Sequence, residues 1–288
     1  MIPPSFQYHA PSSVNDAIAL LNQYRDEAKL LAGGHSLLPM MKMRFAEPGH
    51  LVDINNIESL KGIREENGEI VIGAMTSESA LINSTLLQQK CPILPEAARL
   101  IGDPQVRNRG TIGGDIAHGD PGNDHPAVMM ALDASFTLVG PNGSRQVAAT
   151  DFYLGTFYTL LEVDEILTEI RLAPQSPNTG ASYQKLKRKT GDFATAAAAA
   201  VIEMSGETCQ SARIALTNLG PTALRASDAE AVLAGQVITD ELIGQAAQKA
   251  MDICNPAEDL RGDVEYKTHM GGEMTRRAIR AAVKRAQG

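Results

Sequence analysis

Apolar residues recur at helical spacing at Val14, Ile18 and Leu21, directly after Ser13-Val14-Asn15-Asp16, a run that resembles a capping box. Together they predict a helix over residues 13–24. A short apolar run over 28–32 then predicts a strand that ends at Gly33-Gly34. Residues 37–44 look helical, with Pro39 tolerable because it lies in the first turn, and 50–54 read as another strand. The segment to about residue 55 is therefore a small β-α-β-like unit. Its glycine turn sits at the carboxyl end of a strand, the usual place for a ligand in such units.

A second unit opens with a hairpin, 62–64 and 69–73, around Asn67-Gly68, the dipeptide best suited to a tight primed turn. Thr76 is expected to cap a helix to about 84, and a further helix spans 92–101. A second glycine turn follows at 110–115. Residues 118–124 are turn chemistry throughout, with Asp124 placed to cap a helix over 126–133. A hairpin pairs 136–139 with 145–148, and 166–172 is a strand.

Residues 174–180 break both periodicities, which puts a domain boundary near 177. Beyond it the pattern predicts strands at 183–188, 195–202 and 213–218 and helices at 226–234, 239–253 and 264–286. The five alanines 196–200 favour a helix by propensity. They are unbroken by polar residues and lead into Val201-Ile202, as a buried strand would, and are read as strand. The fold class is α+β: residues 1–177, divided at about 55 into two α+β subdomains, then residues 178–288 with a three-stranded sheet and helices.

Composition narrows the function. The chain has 288 residues and a formal net charge of -8, which argues against nucleic acid or an anionic membrane as partner. The start of the chain carries neither the basic region nor the hydrophobic core of a signal peptide, so a cytoplasmic location is expected. Three cysteines, Cys91, Cys209 and Cys254, form no C-x-x-C pair. They support no zinc, iron-sulfur or disulfide framework within this chain. His118, Asp120, Asp124 and His125 read as Asx turns and a helix cap with surface histidines rather than as a metal cluster.

The two glycine turns carry the candidate chemistry. Ala32-Gly33-Gly34-His35-Ser36 and Thr111-Ile112-Gly113-Gly114-Asp115 are open enough for backbone N–H groups to approach an anion such as a pyrophosphate. Neither is a P-loop or a G-x-G-x-x-G fingerprint.

These turns, the run 101–114 and Gly119-Asp120-Pro121-Gly122-Asn123-Asp124 resemble the FAD-binding medium subunit of molybdenum hydroxylases, the xanthine dehydrogenase family. The likeness covers essentially the whole chain. It implies a PCMH-type FAD-binding domain of two subdomains, with FAD between them, and a C-terminal domain that closes over part of the cofactor. Pyrophosphate would be held by Ala32, Gly33, Gly34, His35 and Ser36 and by Thr111, Ile112, Gly113, Gly114 and Asp115. Asp124 matches an acid near the sugar chain, and Ile166, Leu167 and Lys185 match positions close to the flavin ring. A cation there would stabilise the anionic reduced ring, although Lys185 also reads as one of four basic residues on a solvated strand.

Two positions depart from the family pattern. Asp115 stands where Asn or Ser is common, and a carboxylate beside a pyrophosphate is unfavourable unless it faces away or accepts a backbone N–H. Phe193 stands where Tyr is common. The resemblance implies an electron-transfer subunit without catalytic side chains of its own. It would take electrons from two [2Fe-2S] clusters on a small subunit, downstream of a large molybdenum-cofactor subunit, in a dimer of heterotrimers. A self-contained FAD oxidase or dehydrogenase, or a non-catalytic scaffold, are the alternatives. Neither the substrate (carbon monoxide, aldehyde, purine or N-heteroaromatic) nor the terminal acceptor is legible.

Overall fold

The computed structural model describes residues 2–288. The first layer is a three-stranded parallel sheet in the order Gln7–His9, His50–Asp53, Ala28–Leu31. The helix Val14–Tyr24 begins where predicted, because the Ser13 hydroxyl accepts the N–H of Asp16, and it buries Ala17, Ile18 and Leu21. The strand Gln7–His9 was not anticipated, since three residues with little burial leave no readable alternation. The first glycine turn leaves the carboxyl end of Ala28–Leu31 and leads into the helix Leu37–Lys42.

A five-stranded antiparallel sheet follows, ordered Ile63–Glu66, Glu69–Gly73, Ile166–Leu172, Ser135–Gly140, Gly143–Ala148. Asn67 and Gly68 have φ of 53° and 83°, as a primed turn requires. Helices Ile93–Leu100, Ile112–His118 and His125–Ala131 bury their apolar sides in the same core as Ile70, Phe136 and Ile170. The helix Glu78–Asn83 is capped by Ser77, not by Thr76, whose hydroxyl instead bonds both backbone groups of Gly62. The expected second turn is in its greater part the helix Ile112–His118, with Thr111 as its cap.

The C-terminal sheet is antiparallel, ordered Thr179–Leu186, Ala196–Ser205, Thr208–Thr217, Leu224–Arg225, so a fourth, two-residue strand joins the three expected. The alanine run is strand. Ala196, Ala198 and Ala200 face the helices Ser227–Leu233, Asp240–Asp252 and Val264–Ala286, whereas Ala197, Ala199 and Val201 join the core of the preceding domain. A strand covered on both faces needs no polar alternation. Small side chains also let the last helix press close: a Cβ on Gly180 would lie 2.9 Å from the carbonyl carbon of Ala282.

Candidate functional site

The two glycine turns meet. A Cβ on Gly33 would collide with the Arg109 carbonyl and stand 2.9 Å from the Gly110 Cα, and one on Gly114 would be 3.5 Å from the Ala32 Cβ. At Gly33 glycine is therefore required for the close approach of two backbones, whereas at Gly114 the Ala32 contact is an ordinary one and the tight neighbour is Thr111 Oγ, at 2.8 Å. Asn55, which the sequence did not single out, fixes the entry to the first turn by donating to the Ala32 carbonyl at 2.9 Å.

Around this junction lies a cavity of about 770 Å³, within the size range of a cofactor site. Ala32, Gly33, Gly34, His35 and Ser36 line it, with Thr111, Gly113, Gly114, Asp115, Asp124, Ile166, Leu167 and Lys185. Ile112 does not, because its side chain is fully buried in the core below.

The turns differ in what they offer. Among the described residues, the N–H groups of Gly33, Gly34, His35 and Ser36 meet no acceptor within the chain. Gly33, Gly34 and Ser36 are half-buried and His35 is exposed, so these open N–H groups are free for an outside acceptor. In the second turn every donor but the Thr111 N–H is already engaged among the described residues. Ile112 N donates to Thr76 O, Gly113 N to Ala74 O, Gly114 N to Thr111 Oγ and Asp115 N to Thr111 O. It presents a wall free of side chains and the hydroxyl of Thr111, which accepts from Gly114 and keeps its own proton for a ligand. These residues fit a diphosphate, with the first turn as the principal donor.

Asp124 stands at the head of the helix His125–Ala131 but makes no cap bond. Its carboxylate instead accepts from Tyr183 Oη at 2.5 Å and Lys185 Nζ at 2.7 Å, and the Tyr183 and Thr217 hydroxyls lie 3.1 Å apart. The Lys185 side chain is 1% exposed, which removes the reading of a solvated strand. A buried ammonium needs such a partner, because an unpaired buried charge is costly. It lies in the cavity wall with Ile166 and Leu167, which supply apolar surface.

Sequence reasoning missed a buried pair beneath the second turn. His125 Nε2 lies 2.8 Å from Glu78 Oε2, with side chains 0% and 2% exposed. Burial alone would depress the imidazole, but the Glu78 charge and hydrogen bond outweigh it and raise its pKa to about 9. His125 is thus no surface histidine, and its place at the head of the apolar run Pro126-Ala127-Val128-Met129-Met130 was the available signal. Glu78 carried none, since an acid in a helix's first turn is ordinary. The Asp115 carboxylate accepts the His125 N–H at 3.2 Å, one backbone donor and no cation of its own among the described residues.

Phe193 also lines the cavity and rests against Gly122, with the Arg261 guanidinium 5.6 Å from its ring centre. Asp192 beside it is buried, which would raise its carboxyl, but Arg188 and Arg261 prevail and hold it at about 2. Its neighbouring turn is an Asx turn, with Gly122 N donating to Asp120 Oδ1 at 2.9 Å.

Comparison with known proteins agrees in kind with this geometry. The family described as "FAD binding domain in molybdopterin dehydrogenase" matches residues 4–175, and "CO dehydrogenase flavoprotein C-terminal domain" matches residues 181–282. The chain is similar to the carbon monoxide dehydrogenase medium chain of Hydrogenophaga pseudoflava, 60% identical over 98% of each chain. It is 51% identical to the medium chain of the same name from Afipia carboxidovorans, over the full length of both. A solved structure of the Hydrogenophaga pseudoflava carbon monoxide dehydrogenase superposes with a TM-score of 0.98 at 61% identity, over 99% of each chain. No helix among the described residues is long and apolar enough to cross a membrane.

Proposed function

This chain belongs to the family of FAD-binding medium subunits of molybdenum hydroxylases, and from that premise we propose that it is the flavoprotein subunit of a carbon monoxide dehydrogenase. Residues 1–177 form the FAD-binding domain and residues 178–288 the domain that closes on it. A large molybdenum-cofactor subunit and a small [2Fe-2S] subunit are its partners, in a cytoplasmic dimer of heterotrimers. The identity to two medium chains that carry this name, over the whole of each chain, supports the choice of carbon monoxide among the substrates left open by the motifs.

The observation that carries the cofactor site is that Gly33 to Ser36 line the cavity at its junction with the second turn and that their four N–H groups meet no acceptor within the chain among the described residues. FAD, when bound, supplies the redox chemistry that links iron-sulfur electrons to an external acceptor. The chain's own residues bind and orient. Gly33, Gly34, His35 and Ser36 donate to the diphosphate, Thr111 adds a hydroxyl, and Gly113 and Gly114 leave the wall bare. Lys185, held by Asp124, places its ammonium in the wall beside the apolar surface of Ile166 and Leu167.

The test is the visible absorption of the purified chain titrated with FAD, alone and with its partner subunits. Stoichiometric flavin binding by the wild type, lost in Gly33→Val and Gly114→Val while far-UV circular dichroism is retained, is the expected result. Colourless protein with partners present would leave a scaffold.

A further inference from the structure

Asp115 places an acid on the wall of a site that receives an anion. Its surroundings identify its charge state. Glu78 faces it from the helix Glu78–Asn83, Asp124 and His125 from the head of the helix His125–Ala131, and Tyr153 and Tyr183 from their strands. Glu78 is paired with His125 at 2.8 Å and Asp124 with Lys185 at 2.7 Å. Burial holds both tyrosines protonated. Of the three carboxylates, Asp115 alone has no cation of its own among the described residues; it has one backbone N–H, from His125.

We propose that Asp115 takes up one proton from solvent when FAD enters the cavity, so that the diphosphate meets a neutral carboxyl instead of a carboxylate. This rests on the reading of the cavity as the FAD site. An O–H bond forms on the Asp115 carboxyl, no other bond changes, and the proton returns to solvent when FAD leaves. Protonation also converts the side chain from an acceptor into a donor that can face a phosphate oxygen.

The free site is poised for this. Burial is the largest influence on Asp115 and raises its carboxyl to about 7, with Glu78 and Asp124 adding to the rise and His125 opposing it. Near pH 7 the group therefore changes charge in response to a nearby dianion. The sign follows: the protonated form binds, so the dissociation constant of FAD is level below about pH 7 and rises above it, by up to about tenfold per pH unit.

The experiment is calorimetric titration of the deflavinated complex with FAD at pH 6 and pH 8, in two buffers of different ionisation enthalpy, for wild type, Asp115→Asn and Asp115→Ser. Asparagine keeps the acceptor for the His125 N–H, and serine is a second replacement should asparagine misfold. For the wild type we expect close to one proton taken up at pH 8, few at pH 6, and weaker binding at pH 8. Both variants should lose the uptake and bind FAD with nearly equal affinity at the two pH values. Uptake that persists in folded variants would assign the proton to His35 or His118, which also line the cavity, and overturn the proposal. Wild-type binding without uptake would overturn it as well. Failure of every protein to bind FAD at either pH would instead overturn the reading of the cavity, and the proposal with it.

Discussion

Lys185 Nζ lies 2.7 Å from the Asp124 carboxylate with both side chains buried. The pair ties the first strand of the C-terminal sheet to the head of the helix His125–Ala131, and so joins two layers at the wall of the cavity. A buried charge that loses its partner is costly, which makes this contact a test of how the layers are held together.

Lys185→Met leaves the Asp124 carboxylate with Tyr183 as its remaining donor. Loss of one partner from a buried pair costs about 3–5 kcal/mol, read as a lower urea midpoint. Asp124→Asn added to Lys185→Met should recover part of that loss, because no unpaired charge remains. A Lys185→Met chain as stable as the wild type would mean the pair opens to water.

Gly33→Ala drives a Cβ into the Arg109–Gly110 main chain, which cannot rotate away. Overpacking of this kind costs about 1–3 kcal/mol. Displacement of the donor row should also weaken FAD by tenfold or more, about 1.4 kcal/mol. Gly244→Ala is the control: nothing lies within 4 Å of its Cβ in the helix Asp240–Asp252. It should stabilise the chain by about 1 kcal/mol through helix propensity and leave flavin titration unchanged.

The stability of the FAD-free chain should fall as pH rises from 6 to 9. His125 is raised to about 9 in the fold, so its contribution is full below its unfolded value, about 6.5, and is lost on the way to pH 9. Asp115, raised to about 7, acts in the same direction at lower pH, since the fold favours its protonated form. Each group contributes a slope of at most about 1.4 kcal/mol per pH unit. Glu78→Gln should flatten the segment above pH 7 in denaturant titrations, and an unchanged slope would remove the pair as its source.

Burial pushes the thiols of Cys91 and Cys254 up to about 12 and that of Cys209 to about 11. Thiolate is the reactive form, so a thiol-disulfide reagent at pH 8 should label none of the three in minutes and all three after denaturation. A fast-reacting thiol in the native chain would contradict this burial.

Much of the element order was legible because it rests on near neighbours in sequence. Ser13 with Asp16, Asn67 with Gly68, and the helical spacing of Val14, Ile18 and Leu21 act within one or two turns of chain. The alanine strand was legible from its lack of polar alternation, and the glycine turns from their composition. The short elements were not: Gln7–His9, the helix Thr85–Lys90 and the ribbon Tyr153–Gly155 with Tyr158–Thr159 are too brief to show a period.

By itself, then, the sequence determined where backbone could come close and which stretches needed two covered faces. Only the tertiary structure decided that Gly33 meets Gly110, that the first turn keeps its donors open while the second gives those of Ile112 and Gly113 to Thr76 and Ala74, and that Asp124 turns from its helix to Lys185. It also decided that Glu78, unremarkable in sequence, lies under His125. The contacts Glu78–His125, Asp124–Lys185 and Gly33–Gly110 join residues 47, 61 and 77 apart along the chain. Burial then fixes their charge states, because the cost of an unpaired ion depends on distance and desolvation, neither of which is written in local sequence.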